Sequence, residues 1–444
     1  MIGELDADAV AGYFRGKSIL IIGSTGFLGK VLVEKILRVQ PDVKKLFLLI
    51  RAAGVESAKH RVETEVTGRE IFQVLKEKHG DRFDDFIQEK VCPLAGDIVY
   101  KNLGLDHAKL TELSKGINII VNGAATTNFY ERYDVAFDTN VMGAKHICEF
   151  AKRCNKLKML LHVSTAYVAG EQEGILPEKP FLLGETLREG VHLDIESELN
   201  LIQETRREVE ANCYSERVEK RTMKELGLKR TIDSFIIGYA KQALSIFLVD
   251  LDLIMDVVPG DMVVNAMMVA MAVHSEDQGQ SIYHVTSSLR NPAPYAVLAD
   301  SGGRYFLHNP PCSKKNGEPV RLSRMRFFRT LPRFRAYMAV KFRLPLEILR
   351  LLNIALFGAF SRRYGELSRK YRYVMHVAEL YAPYALFKGC FDDTNTERLR
   401  AALKANKEQN KSRGYDFGFD PKSVDWDNYF YSVHIPGVVK YLCD

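Results

Sequence analysis

Three observations predict a doubly wound α/β fold on a parallel sheet: five short apolar runs rich in β-branched residues, helical periodicity between them, and a glycine triplet directly after the first run. The runs are SILIIG (18–23), KLFLLIR (45–51), VCPLAGD (91–97), INIIVNGAA (117–125) and KMLLHVST (158–165). A strand buried on both faces is apolar along its whole length rather than alternately, as these are. Between the first two runs, Leu28, Val31, Leu32, Ile36 and Val39 recur at helical spacing, and Pro41 stops the helix. With 444 residues, 46% hydrophobic and 27% charged, the chain is long enough for a full core and is not wholly disordered.

After Gly170 the sequence becomes rich in Glu, Arg and Lys and, from about Asp194, helical in pattern; it looks like an insertion that covers something. A second apolar block runs from Phe235 to His274. Within it Asp261, after Pro259 and Gly260, is expected to cap the helix MVVNAMMVAMA. SIYHVTSS (281–288) is a further strand candidate.

The net charge is +6, but it is unevenly placed. Residues 313–372 hold 16 Lys and Arg against 3 Asp and Glu, so the rest of the chain is net acidic. Phe327, Phe328, Phe334, Tyr337 and Phe342 lie among those arginines, which suits an anionic membrane face or nearby phosphates; a solvated helical surface is the alternative. No nucleic-acid-binding motif accompanies the charge. Seven scattered Cys with no CxxC pair point to neither a disulfide framework nor a zinc site, and the set fits a reducing compartment. No metal centre or hydrolase is indicated, since HExxH and GxSxG are absent. No transit peptide or apolar stretch of about 20 residues is seen, so no membrane span is expected.

GSTGFLG (23–29) carries the chemistry that the sequence states most directly. Gly23, Gly26 and Gly29 stand between a strand and an amphipathic helix, where glycine lets backbone amides approach a pyrophosphate lying on the helix N-terminus. Ser24, Thr25, Phe27 and Leu28 complete that loop. The second run ends at Arg51 rather than at the carboxylate that would bind the ribose hydroxyls of NAD. A guanidinium there suits a 2′-phosphate and so NADP; an unrelated surface arginine is the alternative. Asp97 and Ile98 end the third run and Asn122, Ala124 and Ala125 the fourth, fitting an adenine edge and a packed cofactor wall, or else ordinary strand-to-loop turns.

These motifs, with TNVMGAKHI (139–147), HVSTAYVAG (162–170), VVPGDMVVNAMMVAM (257–271) and LYAPYALFKGCFDDTNTERLR (380–400), resemble the extended short-chain dehydrogenases. Among them the chain is most similar to the plant-type alcohol-forming fatty acyl-CoA reductases with a male-sterility C-terminal domain. The resemblance implies a Rossmann domain at 1–312, shortened near 230, and a mainly helical C-terminal domain at 313–444. It further implies reduction of a long-chain acyl-CoA to a primary fatty alcohol with two NADPH. It also implies a lipid or wax role, at the cytosolic face of the endoplasmic reticulum by peripheral contact through 313–372. By the same resemblance, Thr165, with Ser164 beside it, takes the place of the catalytic hydroxyl.

One part of the family pattern is missing. A Tyr and a Lys four apart on a helix, and a following strand, should come after the insertion. Here MKELGLKR (223–230) passes straight into TIDSFIIGYAKQ (231–242). The remaining Tyr-x-x-x-Lys matches, Tyr337 with Lys341 and Tyr384 with Lys388, lie in the C-terminal part, and Tyr239 and Lys241 are only two apart. Without a placed acid, proton transfer loses a factor of about 10²–10⁴. A catalytically silent NADP-binding isoform, a homodimer, or a heterodimer with a complete family member are the alternatives. The lost helix should also leave the fourth and fifth strands partly wet.

Overall fold

In the computed structural model the described residues are 5–127, 131–169, 172–182, 184–185, 194–211, 222–223, 246–310, 325–403 and 416–442. The five apolar runs form the strands β1 (Ser18–Ile22), β2 (Lys45–Ile50), β3 (Val91–Ala95), β4 (Ile119–Asn122) and β5 (Met159–His162). All pair in parallel in the order β3-β2-β1-β4-β5. The order reverses direction beside β1, which opens a crevice beyond the carboxyl ends of β1 and β4.

Each central strand feeds two cores. Ile19 and Ile21 of β1, Leu46, Leu48 and Ile50 of β2, and Ile119 and Val121 of β4 face a layer holding the Phe27–Val39 and Gly260–Val273 helices. Leu20, Ile22, Leu49 and Ile120 face the other side, against Leu110, Leu113, Ile147 and Phe150. The expected wetting is confined to β5: β4 is buried throughout, whereas β5 is half-exposed. The Gly260–Val273 helix explains the difference, because it shares a core with Val121 of β4 and meets only Met159, Leu161 and Val163 at the sheet margin.

Two local expectations are corrected. Asp261 is not the cap of its helix. The helix starts at Gly260, and Pro259 is the cap, its carbonyl accepting from the Met262 and Val263 amides. Asp261 falls in the first turn, where its carboxylate still suits the positive helix end. Residues 281–288 form no strand, because side chains satisfy their backbone in place of a ladder. Glu178 accepts from the His284 amide at 2.7 Å, Asp256 accepts from Ser287 N at 2.9 Å, and Asn395 donates to the Ile282 carbonyl at 3.1 Å. The insertion is helical as expected, over Ile195–Ala211, with Asp194 accepting from the Ser197 amide.

The C-terminal part is mainly helical, with helices at Leu331–Met338, Leu344–Ala355, Ser361–Ala385, Thr394–Ala402 and Ile435–Leu442. Residues on both sides of position 312 share the first core: Leu399, Phe417 and Phe419 pack into it, and the Leu5 amide donates to Ala402 O at 2.8 Å. A buried polar clamp fastens this junction. Lys35 of the Phe27–Val39 helix donates to Asn265 and to the Asp416 carbonyl, stands over the Phe417 ring at 4.9 Å, and Asn265 donates to Gly418 O at 2.6 Å.

Candidate active site

Strand register brings the sequence-marked residues to one edge. Ile22 lies opposite Leu49 and Asn122, Ile50 opposite Ala95, and Asn122 opposite His162. Gly23, Arg51, Asp97, Gly123 and Val163 therefore leave the sheet at its carboxyl edge, where a dinucleotide crevice is expected.

The 23–29 loop has the geometry of a phosphate cradle. Gly23 has φ +86°, and a Cβ there would lie 2.6 Å from the Gly123 carbonyl, so only glycine fits beside β4. A Cβ on Gly29 would lie 2.3 Å from Gly23 O and 2.7 Å from Ser24 Cα. The Gly26 amide donates to Gly23 O at 3.0 Å, closing the turn, and Gly26 caps the helix with no side-chain hydrogen bond. First-turn amides of the Phe27–Val39 helix thus have no capping side chain, which is what an anion needs. The Ser24 Oγ is buried without a hydrogen-bond partner. Thr25 is half-buried, Gly26 exposed, Leu28 half-buried, and the Phe27 ring is 70% exposed while its edge closes against Gly260. A narrow backbone approach, an unpaired hydroxyl and open amides fit a dinucleotide pyrophosphate.

Around the loop, Arg51 is exposed immediately after β2. Its carbonyl accepts from Arg61 at 2.6 Å, and Arg61 also holds Glu65 through bonds of 2.6 and 2.8 Å, which keeps the Glu65 carboxyl below its usual range. Arg61 thus fixes the backbone at the end of β2, from which the exposed Arg51 side chain projects. Asp97 makes a turn bond from the Val99 amide at 3.1 Å, and the buried Ile98 packs on Gly143 while its carbonyl is held by His146 at 2.9 Å. Asn122 is buried, accepts from the Ala124 amide at 3.3 Å and faces the His162 ring at 3.0 Å. Ala124 is half-buried and Ala125 exposed.

Ser164 and Thr165, two and three residues beyond β5, are exposed at the same edge. Thr165 Oγ1 accepts from the Tyr167 amide at 3.3 Å, so part of its bonding capacity serves a turn. Tyr167 anchors that turn to the C-terminal part: its ring lies 5.9 Å from Tyr384, 5.4 Å from Phe387 and 5.3 Å from Phe391. Burial first, then Tyr295 and Asp256, push its phenol well up, and burial also raises the Asp256 carboxyl.

Neither described Tyr-x-x-x-Lys match reaches this edge as a pair. Lys341 stands over the Tyr337 ring at 5.4 Å within the C-terminal helices. The helix carrying Tyr384 ends at Ala385, so Lys388 is not on its face and pairs instead with Glu173 at 2.8 Å. Tyr239 and Lys241, the junction at 224–242 and the start of the basic segment at 313–324 lie outside the described residues. Sequence reasoning missed three positioning residues: Arg61, His146 and Asn140. Asn140 clamps Thr126 through both backbone groups, at 2.8 and 3.1 Å, and so fixes the loop after β4. The signal available was a polar residue inside each otherwise patterned helix.

Comparison with known proteins agrees with this geometry. Residues 21–225 match a NAD-binding family and residues 341–444 a second family, both described as male sterility protein. The chain is 41% identical to fatty acyl-CoA reductase 1 of Arabidopsis thaliana, covering 97% of this chain and 98% of that one. It is 37% identical to the alcohol-forming fatty acyl-CoA reductase of Simmondsia chinensis, with the same coverage. The alignments span 488 and 487 positions, more than the 444 residues of this chain, so those relatives hold residues without a counterpart here. Among solved structures, the terminal R domain of the myxalamid pathway superposes with TM-score 0.54 at 18% identity, covering 98% of this chain and 95% of that one. The reductase domain of a nonribosomal peptide synthetase from Mycobacterium tuberculosis gives 0.51 at 19%, covering 98% and 97%. The fold is therefore that of the extended short-chain reductases with a nicotinamide-binding sheet, and by identity over nearly its full length the chain belongs to the fatty acyl-CoA reductase family.

Proposed function

We propose that the chain binds NADPH and reduces long-chain fatty acyl-CoA to primary fatty alcohol and CoA, at a rate about 10²–10⁴ below that of a chain with a placed acid. The observation that carries this reading is the meeting at one sheet edge of the 23–29 cradle and the exposed Ser164–Thr165 strand end. NADPH supplies the hydride when bound. Glycine-loop amides and Ser24 hold the pyrophosphate, Arg51 meets the 2′-phosphate from a strand end that Arg61 fixes through the Arg51 carbonyl, and the Ala124–Ala125 backbone forms the wall. Thr165 donates a hydrogen bond to the acyl carbonyl oxygen as negative charge develops there, and the turn bond that its Oγ1 accepts from the Tyr167 amide leaves the hydroxyl hydrogen free to do so. In this reading residues 1–312 hold the cofactor, residues 313–444 help hold acyl chain and CoA, and the basic segment rests on the endoplasmic reticulum surface.

A catalytically silent NADP-binding isoform, alone or paired with a complete family member, is the second reading. It is favoured by the absence, among the described residues, of a Tyr-Lys pair beside β5. Calorimetry with NADPH and gas chromatography of fatty alcohols separate the two. Binding with slow but measurable alcohol formation supports the first, binding with none supports the second, and no binding contradicts both.

A further inference from the structure

We propose that the outer half of the C-terminal helical hairpin is a bilayer-inserting tip that takes an anionic phospholipid surface. The hairpin consists of Leu331–Met338 and Leu344–Ala355, joined by a short π-helical stretch, followed by the returning Ser361–Ala385 helix. Its base is packed: Phe334 and Met338 are buried with Leu248 and Ala378, and Arg335 pairs with Glu379 at 2.8 Å. Beyond that base, no residue of the Leu344–Ala355 helix is buried.

The exposed side is apolar. Leu344, Ile348, Leu351 and Leu352 lie at i, i+4, i+7 and i+8, on one stripe, each about half-exposed or more. The opposite side, Leu346, Leu349 and Asn353, is half-buried and is the side turned to the returning helix. A helix apolar on both sides with one side free is not the pattern of a water-facing surface. At about 1.5 Å per residue the free stripe from Leu344 to Leu352 is about 12 Å long on a helix of about 18 Å, enough to lie in a lipid interface and too short to span a bilayer. No helix among the described residues is long and apolar enough to span.

The turn at the end of the hairpin adds an independent observation. Phe357 has φ +47° and is 102% exposed, while the following Gly358 has φ +91°. Asn353 fixes the turn, its carbonyl accepting from the Gly358 amide at 2.7 Å and its side chain from the Phe360 amide at 2.8 Å. A left-handed backbone is unfavourable at a bulky residue, and here it coincides with an aromatic ring held fully in solvent.

Charge selects the occupant. Between positions 340 and 372 eight Lys and Arg face two Glu. Arg362, Arg363 and Arg369 are exposed directly behind the apolar tip, and Arg350 flanks the stripe. An apolar tip collared by cations matches a bilayer with acidic headgroups, whereas a second copy of this chain would bring the same positive charge against it. The inference deepens the membrane-surface reading of the basic segment and is independent of catalytic competence.

The test is flotation of the full chain with vesicles of phosphatidylcholine alone and of phosphatidylcholine mixed with phosphatidylserine. Wild type should float with the mixed vesicles and weaken with salt. Ile348→Asp with Leu351→Asp should lower the partition at least about tenfold at unchanged circular dichroism and melting temperature. Arg362→Ser with Arg363→Ser and Arg369→Ser should do so on the mixed vesicles only. In Phe357→Trp the new fluorescence should shift blue and be quenched by brominated lipid, over the constant background of the buried Trp426. Wild type that fails to float overturns both the insertion and the membrane-surface reading. Flotation lost with the arginine variant but untouched by the aspartate variant keeps the surface reading and overturns insertion. A dimer in solution that the aspartate variant splits, without vesicle binding, assigns the face to a second copy and overturns the proposal.

Discussion

Gly29→Ala tests the phosphate cradle at its tightest point. The new Cβ would lie 2.3 Å from Gly23 O, 2.7 Å from Ser24 Cα and 2.9 Å from Gly23 C, all backbone atoms of the loop itself. Ordinary contact begins near 3.4 Å, so the loop must open by roughly 1 Å, and no flexible side chain is there to give way. An amide bond to a phosphate oxygen contributes about 2 kcal/mol, and an opening of that size breaks at least one, which weakens binding about thirtyfold. Because the pyrophosphate is common to both nicotinamide cofactors, NADPH and NADH should lose affinity alike. Titration calorimetry measures this, with Gly12→Ala as the control: a Cβ at Gly12 meets nothing within 4 Å, and that variant should bind normally. Gly29→Ala binding within threefold of wild type would refute the assignment of this loop to the pyrophosphate.

Other expectations follow from the same contacts. Arg51→Ala should weaken NADPH about tenfold or more and leave NADH unchanged, which calorimetry with both cofactors checks; equal losses would remove the 2′-phosphate assignment. Lys35 is lowered by burial to about 8, so its folded state binds fewer protons than its unfolded state above that pH. Stability should therefore rise from about pH 8 toward 10.5, by on the order of 3 kcal/mol in all, and the rise should vanish in Lys35→Met when the two are compared by urea unfolding. Burial raises Asp256, so its charged form destabilises the fold once pH passes the unfolded carboxylate range. Asp256→Asn should be more stable than the parent chain at neutral pH and no different in acid, measured as melting temperature against pH.

The sheet was legible because each strand falls within its own run of apolar residues and the central β1 and β4 are buried along their whole length, so a parallel strand announces itself by composition. The glycine loop was legible because its demand is steric, and steric demands at glycine are written in residue type. Residues 281–288 misled for the opposite reason. Their β-branched pattern is real, but Glu178, Asp256, Asn395 and Thr396 bring hydrogen bonds from distant segments, and local sequence carries no trace of those partners. The cap at Pro259 was missed because a carboxylate two residues on satisfies the same compositional rule. Arg61, His146 and Asn140 act by holding backbone carbonyls and amides of other elements, which requires the tertiary path of the chain. The apolar stripe of the Leu344–Ala355 helix was read as part of a basic segment, because a helix packed on one side and free on the other has the same periodicity as a buried one.

The most direct test of the account is fatty alcohol content, by gas chromatography, in yeast expressing this chain beside the same chain with a Tyr-x-x-x-Lys helix and following strand restored after position 230. The account predicts alcohol from the restored chain at about a hundredfold or more above this one, with NADPH affinity the same in both. Equal, abundant alcohol from the two would contradict it and mean that another residue of this chain supplies the acid.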